Sequence, residues 1–215
     1  MDRFTPIDVK TWPRKALYEL YNKSWMEASF SATMRVKVEN LVKYQKERGQ
    51  KFVPALLYIF TKELSGDPAF TLAVQDGQVG HWERLHPMYP VLNENGTFTF
   101  HYTPVEGDFR SFYDAYLREK EESAGRIGAY ASGNMPFNSY CISIMNYFPF
   151  DSFSCSMKNN KNYYAPVIFI GKYGEDCLMP VSVTVNHAAC DGFHVSELFR
   201  RLQEAFDHPE KWLAD

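Results

Sequence analysis

The chain has 215 residues, 45% of them apolar and 16% aromatic, enough to bury a substantial core, and residues 1–215 are expected to form a single domain. Acids and bases are mixed along its length and sum to a formal charge of −3, with no basic stripe and no run of five like charges. Nucleic acid and anionic membrane are therefore poor partners. No stretch approaches the roughly 18 apolar residues of a membrane-spanning helix, and the start Met1-Asp2-Arg3-Phe4-Thr5-Pro6 has no hydrophobic signal core, so a cytoplasmic protein is expected. Cys141, Cys155, Cys177 and Cys190 are widely spaced and match no CxxC pattern; free thiols, mostly in the core, are expected.

Trp12-Pro13 opens a helix, because proline suits the first helical turn, and Leu17, Leu20, Tyr21 and Ser24 follow at helical spacing. Residues 29 to 38 alternate, with Phe30, Ala32, Met34, Val36 and Val38 on one face, as in a half-buried strand. A polar helix from 39 to 48 stops at Gly49. A more apolar helix starts near Pro54, runs through Leu56, Leu57, Ile59, Phe60 and Leu64, and ends at Gly66-Asp67-Pro68. Asp76-Gly77 and Asn95-Gly96 tolerate positive φ and predict two hairpins, with His81 and His86 on the second hairpin and its exit. Asp108 is a plausible N-cap for an amphipathic helix to about Ser123, with Phe109, Phe112, Tyr113, Tyr116 and Leu117 on one face. The last third predicts strands at 139–146, 151–157, 165–173 and 178–186, then a helix from 193 to 206 with Leu198, Phe199, Leu202 and Phe206 inward. The expected class is α+β, a two-layer sandwich of helices packed on a mixed β-sheet.

The chemistry-bearing segment is Val183-Thr184-Val185-Asn186-His187-Ala188-Ala189-Cys190-Asp191-Gly192-Phe193-His194, an H-x-x-x-D-G pattern between an apolar strand and a helix. By residue type alone, one histidine at a strand end is more often structural than catalytic. The pattern H-x-x-x-D-G-F-H after the strand Leu178 to Val183 resembles the active-site signature of the chloramphenicol acetyltransferases. H-x-x-x-D-G alone is shared with the related dihydrolipoyl acyltransferase catalytic domains. The likeness runs along the chain: Asp8 to Lys15 resembles the family's opening helix and Phe109 to Leu117 its middle helix. Asp151-Ser152-Phe153, Asn162 to Val167 and Gly171-Lys172-Tyr173 resemble its oxyanion and coenzyme region.

What the resemblance implies is a coenzyme A-dependent acyltransferase fold and direct acetyl transfer from acetyl-CoA to a hydroxyl of chloramphenicol or a similar small molecule, with no metal. His187 would be the general base, Ser152 the oxyanion donor, and Asp191 with Arg14 a pair that holds the loop presenting the histidine. Tyr21 and Phe98 match acceptor-pocket positions, and Tyr173 matches a contact to the coenzyme adenine. Each has a plainer reading: Arg14 as a solvated surface charge, Tyr21 and Phe98 as core aromatics, Tyr173 as sheet packing. The resemblance further implies a homotrimer with active sites at subunit boundaries.

The match breaks at Asn186, where many members have a second histidine, at Phe148-Pro149 in place of Pro-Trp, and at Tyr89-Pro90-Val91 in place of Tyr-Thr-Val. These departures bear on the acceptor more than on the chemistry, so a different hydroxyl acceptor and an inactive trimeric binding homologue are the alternatives. A serine hydrolase built from Ser152, His187 and Asp191 lacks a G-x-S-x-G elbow. A zinc enzyme would need His81, His86, His101, His187 and His194 to converge from spacings that fit no compact ligand pattern. Cys190, beside the site, is either a thiol-reagent target or a small buried hydrophobe.

Overall fold

The run Leu178–Asn186 is buried almost throughout, as a strand covered on both faces must be, and it organises the larger of two sheets. The computed structural model describes residues 2–23, 26–131, 135–156 and 163–214. In chain order its elements are β1 (Phe4–Pro6), α1 (Lys15–Tyr21), β2 (Ser29–Lys37), α2 (Glu39–Glu47), α3 (Phe52–Ser65), α4 (Pro68–Thr71), β3 (Leu72–Gln75), β4 (Gln78–Trp82), β5 (His86–Leu92) and β6 (Phe98–Tyr102). They continue with α5 (Phe109–Glu122), β7 (Ser139–Met145), β8 (Val167–Gly171), β9 (Leu178–Asn186), α6 (Gly192–Asp207) and α7 (Glu210–Leu213).

The six-stranded sheet has the order β2-β9-β8-β7-β5-β6 and is mixed: β7 runs parallel to both β5 and β8, and the other pairs are antiparallel. One face carries the helices. Tyr140 and Ile142 of β7, Ile168 and Ile170 of β8, and Val181 and Val183 of β9 point into a core shared with α3, whose Leu57, Ile59, Phe60 and Leu64 are fully buried. The Tyr140 hydroxyl, within that core, is hydrogen-bonded to Thr61 Oγ1 at 2.9 Å. On the opposite face, Ser139, Cys141 and Ser143 of β7, with Val167 and Phe169 of β8, line a cavity of about 780 Å³. A smaller antiparallel sheet, β1-β4-β3, holds the start of the chain. There Gly80 lies so close to β1 that a Cβ would sit 2.5 Å from both the Phe4 ring and the Thr5 carbonyl. Among the described residues, no helix is long and apolar enough to cross a membrane.

The α+β arrangement of helices on a mixed sheet is as the sequence predicts, and so are both hairpins. Asp76 and Gly77 both adopt positive φ, 51° and 77°, in the two-residue turn between β3 and β4. Several expectations are corrected. Residues 151–156 form no strand: aromatic packing of Phe150 and Phe153 holds them over the sheet, Phe153 lying 4.3 Å from Phe169 between ring centroids. Met157 of that expected strand, Asn162 of the segment Asn162 to Val167, and Ser24 of the first helix lie outside the described residues. Helix α1 begins at Lys15, two residues after Pro13, and Leu17 is 42% exposed; Tyr18 and Tyr21 are the residues that pack inward. His81 lies on the return strand of the first hairpin and His86 opens the second. Of the cysteines only Cys190 is buried; the other three are half-buried. The hairpin β3-β4 joins β1 in a separate sheet, a pairing that local sequence does not encode.

Because α3 is packed on the sheet face and by α5 and α6, Phe60→Ala should lower the unfolding free energy by about 3–5 kcal/mol. Tyr140→Phe removes one buried hydroxyl while Thr61 keeps its bond to the Leu57 carbonyl, and should lower it by about 1 kcal/mol. Urea unfolding followed by circular dichroism measures both.

Candidate active site

At the end of β9 the chain turns sharply, and the turn is built by Asn186. Its side-chain oxygen accepts the Ala188 N–H at 2.8 Å, and its carbonyl accepts the N–H groups of Ala189 and Cys190. His187 follows, its own N–H bonded to the Ala28 carbonyl just ahead of β2. The imidazole Nδ1 lies 2.9 Å from the Cys190 carbonyl, which can only accept, so Nδ1 carries the proton and Nε2 keeps its lone pair, with no partner among the described residues. The ring is stacked on Tyr21 at 4.2 Å between centroids, and Phe30 meets it edge-on at 5.1 Å. This is a half-buried imidazole of fixed orientation with one basic nitrogen available, the arrangement a general base requires.

The loop is held from behind by Arg14, immediately before α1. Its guanidinium donates from Nη2 to the His187 carbonyl at 3.0 Å, from Nε to the Ala188 carbonyl at 2.9 Å and from Nη1 to Asp191 Oδ2 at 2.9 Å. Three divergent bonds of this kind use the fixed fork of arginine and are beyond lysine. Asp191 also caps α6, accepting the Phe193 N–H at Oδ1, where His194 Nδ1 approaches to 2.9 Å. Burial works to raise the Asp191 carboxyl. The hydrogen bonds and charges of Arg14 and His194 outweigh it and hold the group below the usual carboxylate range.

The other residues singled out in the sequence lie elsewhere. Ser152 is exposed and its neighbour Phe153 is anchored midway along the β2–β9 pair, by the Thr33 hydroxyl and by the Ser182 hydroxyl, which donates to its carbonyl. Ser182 is five residues before His187 on β9, so Ser152 stands roughly 17 Å from the histidine along the strand. Phe98 starts β6, four strand spacings from β9, or roughly 19 Å across the sheet. It lines the cavity with Pro90, Phe100, Tyr130 and Phe169, and among the described residues no charged side chain lines it. Tyr173 lies past the end of β8 away from His187, its ring packed edge-on against Phe52 at 5.7 Å. One chain thus brings together His187, Tyr21, Arg14 and Asp191, and leaves Ser152, Phe98 and Tyr173 apart from them.

Cys190 is buried, its thiol donates to the Ala69 carbonyl at 3.1 Å, and burial pushes its pKa up. It is the small hydrophobe, not an exposed reactive thiol. His86 is tied to Asp2 and to the Val105 N–H, and His101 to Ser123. Phe30, Asn186 and His194 were not assigned site roles from sequence. Only His194, three residues after Asp191 at the capping-box position, carried a local signal.

The family model described as chloramphenicol acetyltransferase matches residues 2–203. A chloramphenicol acetyltransferase of Staphylococcus aureus is 33% identical over 215 residues, covering 98% of this chain and 99% of its own. Among solved structures, a chloramphenicol acetyltransferase superposes with a TM-score of 0.84 at 21% identity, covering 94% of this chain and 99% of its own. The dihydrolipoamide acetyltransferase of Azotobacter vinelandii does so with a TM-score of 0.63 at 16% identity, covering 98% and 99%. At these identities the two structures show a shared fold, that of the coenzyme A-dependent acyltransferases.

Two stability outcomes follow from the clamp. Arg14→Lys should destabilise the chain nearly as much as Arg14→Ala, by about 2–3 kcal/mol, because neither can replace the divergent bonds to charged and carbonyl acceptors. The folded Asp191 pKa is depressed, so its contribution is complete above the ordinary carboxylate pKa and lost as pH falls through the lower folded value. The gap in thermal midpoint between wild type and Asp191→Asn should therefore be constant near neutrality and close in acid, as differential scanning fluorimetry across pH would record.

Proposed function

The chain belongs to the chloramphenicol acetyltransferase family, and from that membership and the geometry of His187 we propose that it transfers the acetyl group of acetyl-CoA to a hydroxyl of chloramphenicol or a similar small acceptor. The observation that carries the reading is the His187 ring, its Nδ1–H held on the Cys190 carbonyl and its Nε2 without a partner among the described residues. Nε2 takes the proton from the acceptor hydroxyl as that oxygen attacks the thioester carbonyl. The tetrahedral intermediate collapses by expelling the coenzyme A thiolate, which receives the proton from the imidazolium. No covalent acyl-enzyme forms. The Ser152 hydroxyl donates to the carbonyl oxygen as it gains charge. Asp191 and Arg14 hold the loop and take no proton.

A base must lie within about 3 Å of the proton it removes, yet the cavity and Ser152 stand well over that distance from His187 within one chain. This separation supports a site completed between copies, with His187 and Tyr21 of one protomer facing the cavity and Ser152 of the next, in a homotrimer. The cavity's size lies within the range of small-molecule sites, and its lining of aromatic, Met, Pro and hydroxyl side chains suits an uncharged, partly aromatic acceptor. Phe98 is its contact to that acceptor. Tyr173, at the other end of the sheet, is the proposed contact to the coenzyme adenine. The chain works as one domain in the cytoplasm, where acetyl-CoA is supplied. The shared core of helices and sheet supports the first point.

Free-thiol release from acetyl-CoA, followed with and without chloramphenicol, tests the reading. Wild type should respond to chloramphenicol, His187→Ala should be silent, and Ser152→Ala should lose about 10²–10³-fold in kcat. Response only to other hydroxylated compounds moves the acceptor and keeps the mechanism; silence with every acceptor favours a binding homologue. Light scattering on active protein should show an oligomer, and an active monomer overturns the shared site.

A further inference from the structure

The peptide unit joining Cys190 to Asp191 is planar and rigid, so its carbonyl and its N–H point in opposite directions and turn together. On one side, the Cys190 carbonyl accepts from His187 Nδ1 at 2.9 Å and thereby fixes that ring's tautomer and direction. On the other side stands a second histidine. His194 Nδ1 lies 3.3 Å from the Asp191 N and 2.9 Å from Asp191 Oδ1. One nitrogen serves one of these at a time. Without a proton it accepts the Asp191 N–H; with one it donates to the carboxylate. The shorter distance to a charged carboxylate favours the donating tautomer. In either tautomer the ring anchors the same residue, and Arg14 holds the other carboxylate oxygen at 2.9 Å.

We propose that His194 is a positioning residue for the reaction: by pinning Asp191 across the peptide plane from His187, it sets the Cys190 carbonyl that orients the base. Its position three residues into α6 makes the link possible, since the helix start points its first side chains back over the loop, and the Asp191 cap locks the distance between them. The chain of contacts runs from the His187 ring through the Cys190–Asp191 peptide to the His194 ring. It closes back through the Asp191 carboxylate and Arg14 to the His187 carbonyl. Loss of the His194 bond leaves the Asp191 carboxylate held by Arg14 and the Phe193 N–H, and a shift of Asp191 tilts the Cys190 carbonyl and carries the His187 ring with it.

The inference rests on His187 acting as the base, and its test has a readout separate from activity. His194→Leu removes the ring nitrogen, whereas His194→Asn keeps an amide near the Nδ1 position that can donate to the carboxylate or accept the N–H. In ¹⁵N-histidine spectra of the intact protein, the Nδ1–H tautomer of His187 should dominate in wild type and in His194→Asn and lose population in His194→Leu. In thiol-release assays, His194→Leu should lose about 10-fold or more in kcat, as a slight misplacement of a catalytic group does, with KM for acetyl-CoA little changed and His194→Asn within a few-fold of wild type. A mere helix cap would lower the thermal midpoint and leave both the tautomer and kcat unmoved, which overturns the proposal, as does equal impairment of the two variants. If His194→Leu does not fold by circular dichroism, His194→Asn decides alone: a 10-fold loss of kcat refutes the role. Movement of the tautomer beside an active His187→Ala would instead refute the base.

Discussion

The site depends on one guanidinium. Arg14 gathers two main-chain carbonyls and one carboxylate, all from residues 187 to 191, onto a segment that precedes them by more than 170 residues in sequence. Those carbonyls sit at the end of a central strand, where the sheet no longer satisfies them, and a half-buried acceptor without a donor is costly. Arg14 therefore does two jobs with one charge. It satisfies the strand end, and it fixes the short loop so that the imidazole has one orientation. The carboxylate of Asp191 serves in turn as counter-charge and helix cap, which ties the start of α6 to the same point.

The sheet supplies the rest of the geometry. The pairing of β2 with β9 puts Ser29 opposite Asn186 and brings Phe30 beside the His187 ring, while α1 lays Tyr21 on that ring. A protonated nitrogen buried against two aromatic rings would be poorly solvated, but Nδ1 has the Cys190 carbonyl. The opposite sheet face is shaped by alternation: residues of β7 that do not enter the helix-facing core line the cavity instead. Hydrophobic burial on one face and an open apolar hollow on the other are two results of the same two-residue period.

Much of this was legible in the sequence because it is local. The helices from 39 to 65, the helix capped by Asp108 and the strand from 178 to 186 carry their own periodicity, and the H-x-x-x-D-G pattern marks the loop with its neighbouring strand and helix. The pairing of Arg14 with Asp191 is what the family resemblance implies, and Cys190 takes the buried of its two readings. What was not legible is set by partners distant in sequence. Residues 151–156 alternate like a strand, yet aromatic packing onto Phe169 and the bonds to Thr33 and Ser182 win over sheet pairing. The separation of β1, β3 and β4 into their own sheet depends on which edge the N-terminal segment finds. Asn186, which differs from the family pattern, turned out to have a task of its own, since its side chain closes the turn that presents His187.

The small sheet has a bearing on how the chain begins. Position 80 has no room for a side chain because β1 lies directly on it, and Asp2, just ahead of β1, reaches His86 and Asn138 at the mouth of β5. Residues 2–6 are thus a clasp, fastened at one end by a missing methyl group and at the other by a carboxylate. A side chain as small as alanine's at position 80 would force the clasp open and leave His86, buried beneath it, facing a gap where its acceptor had been.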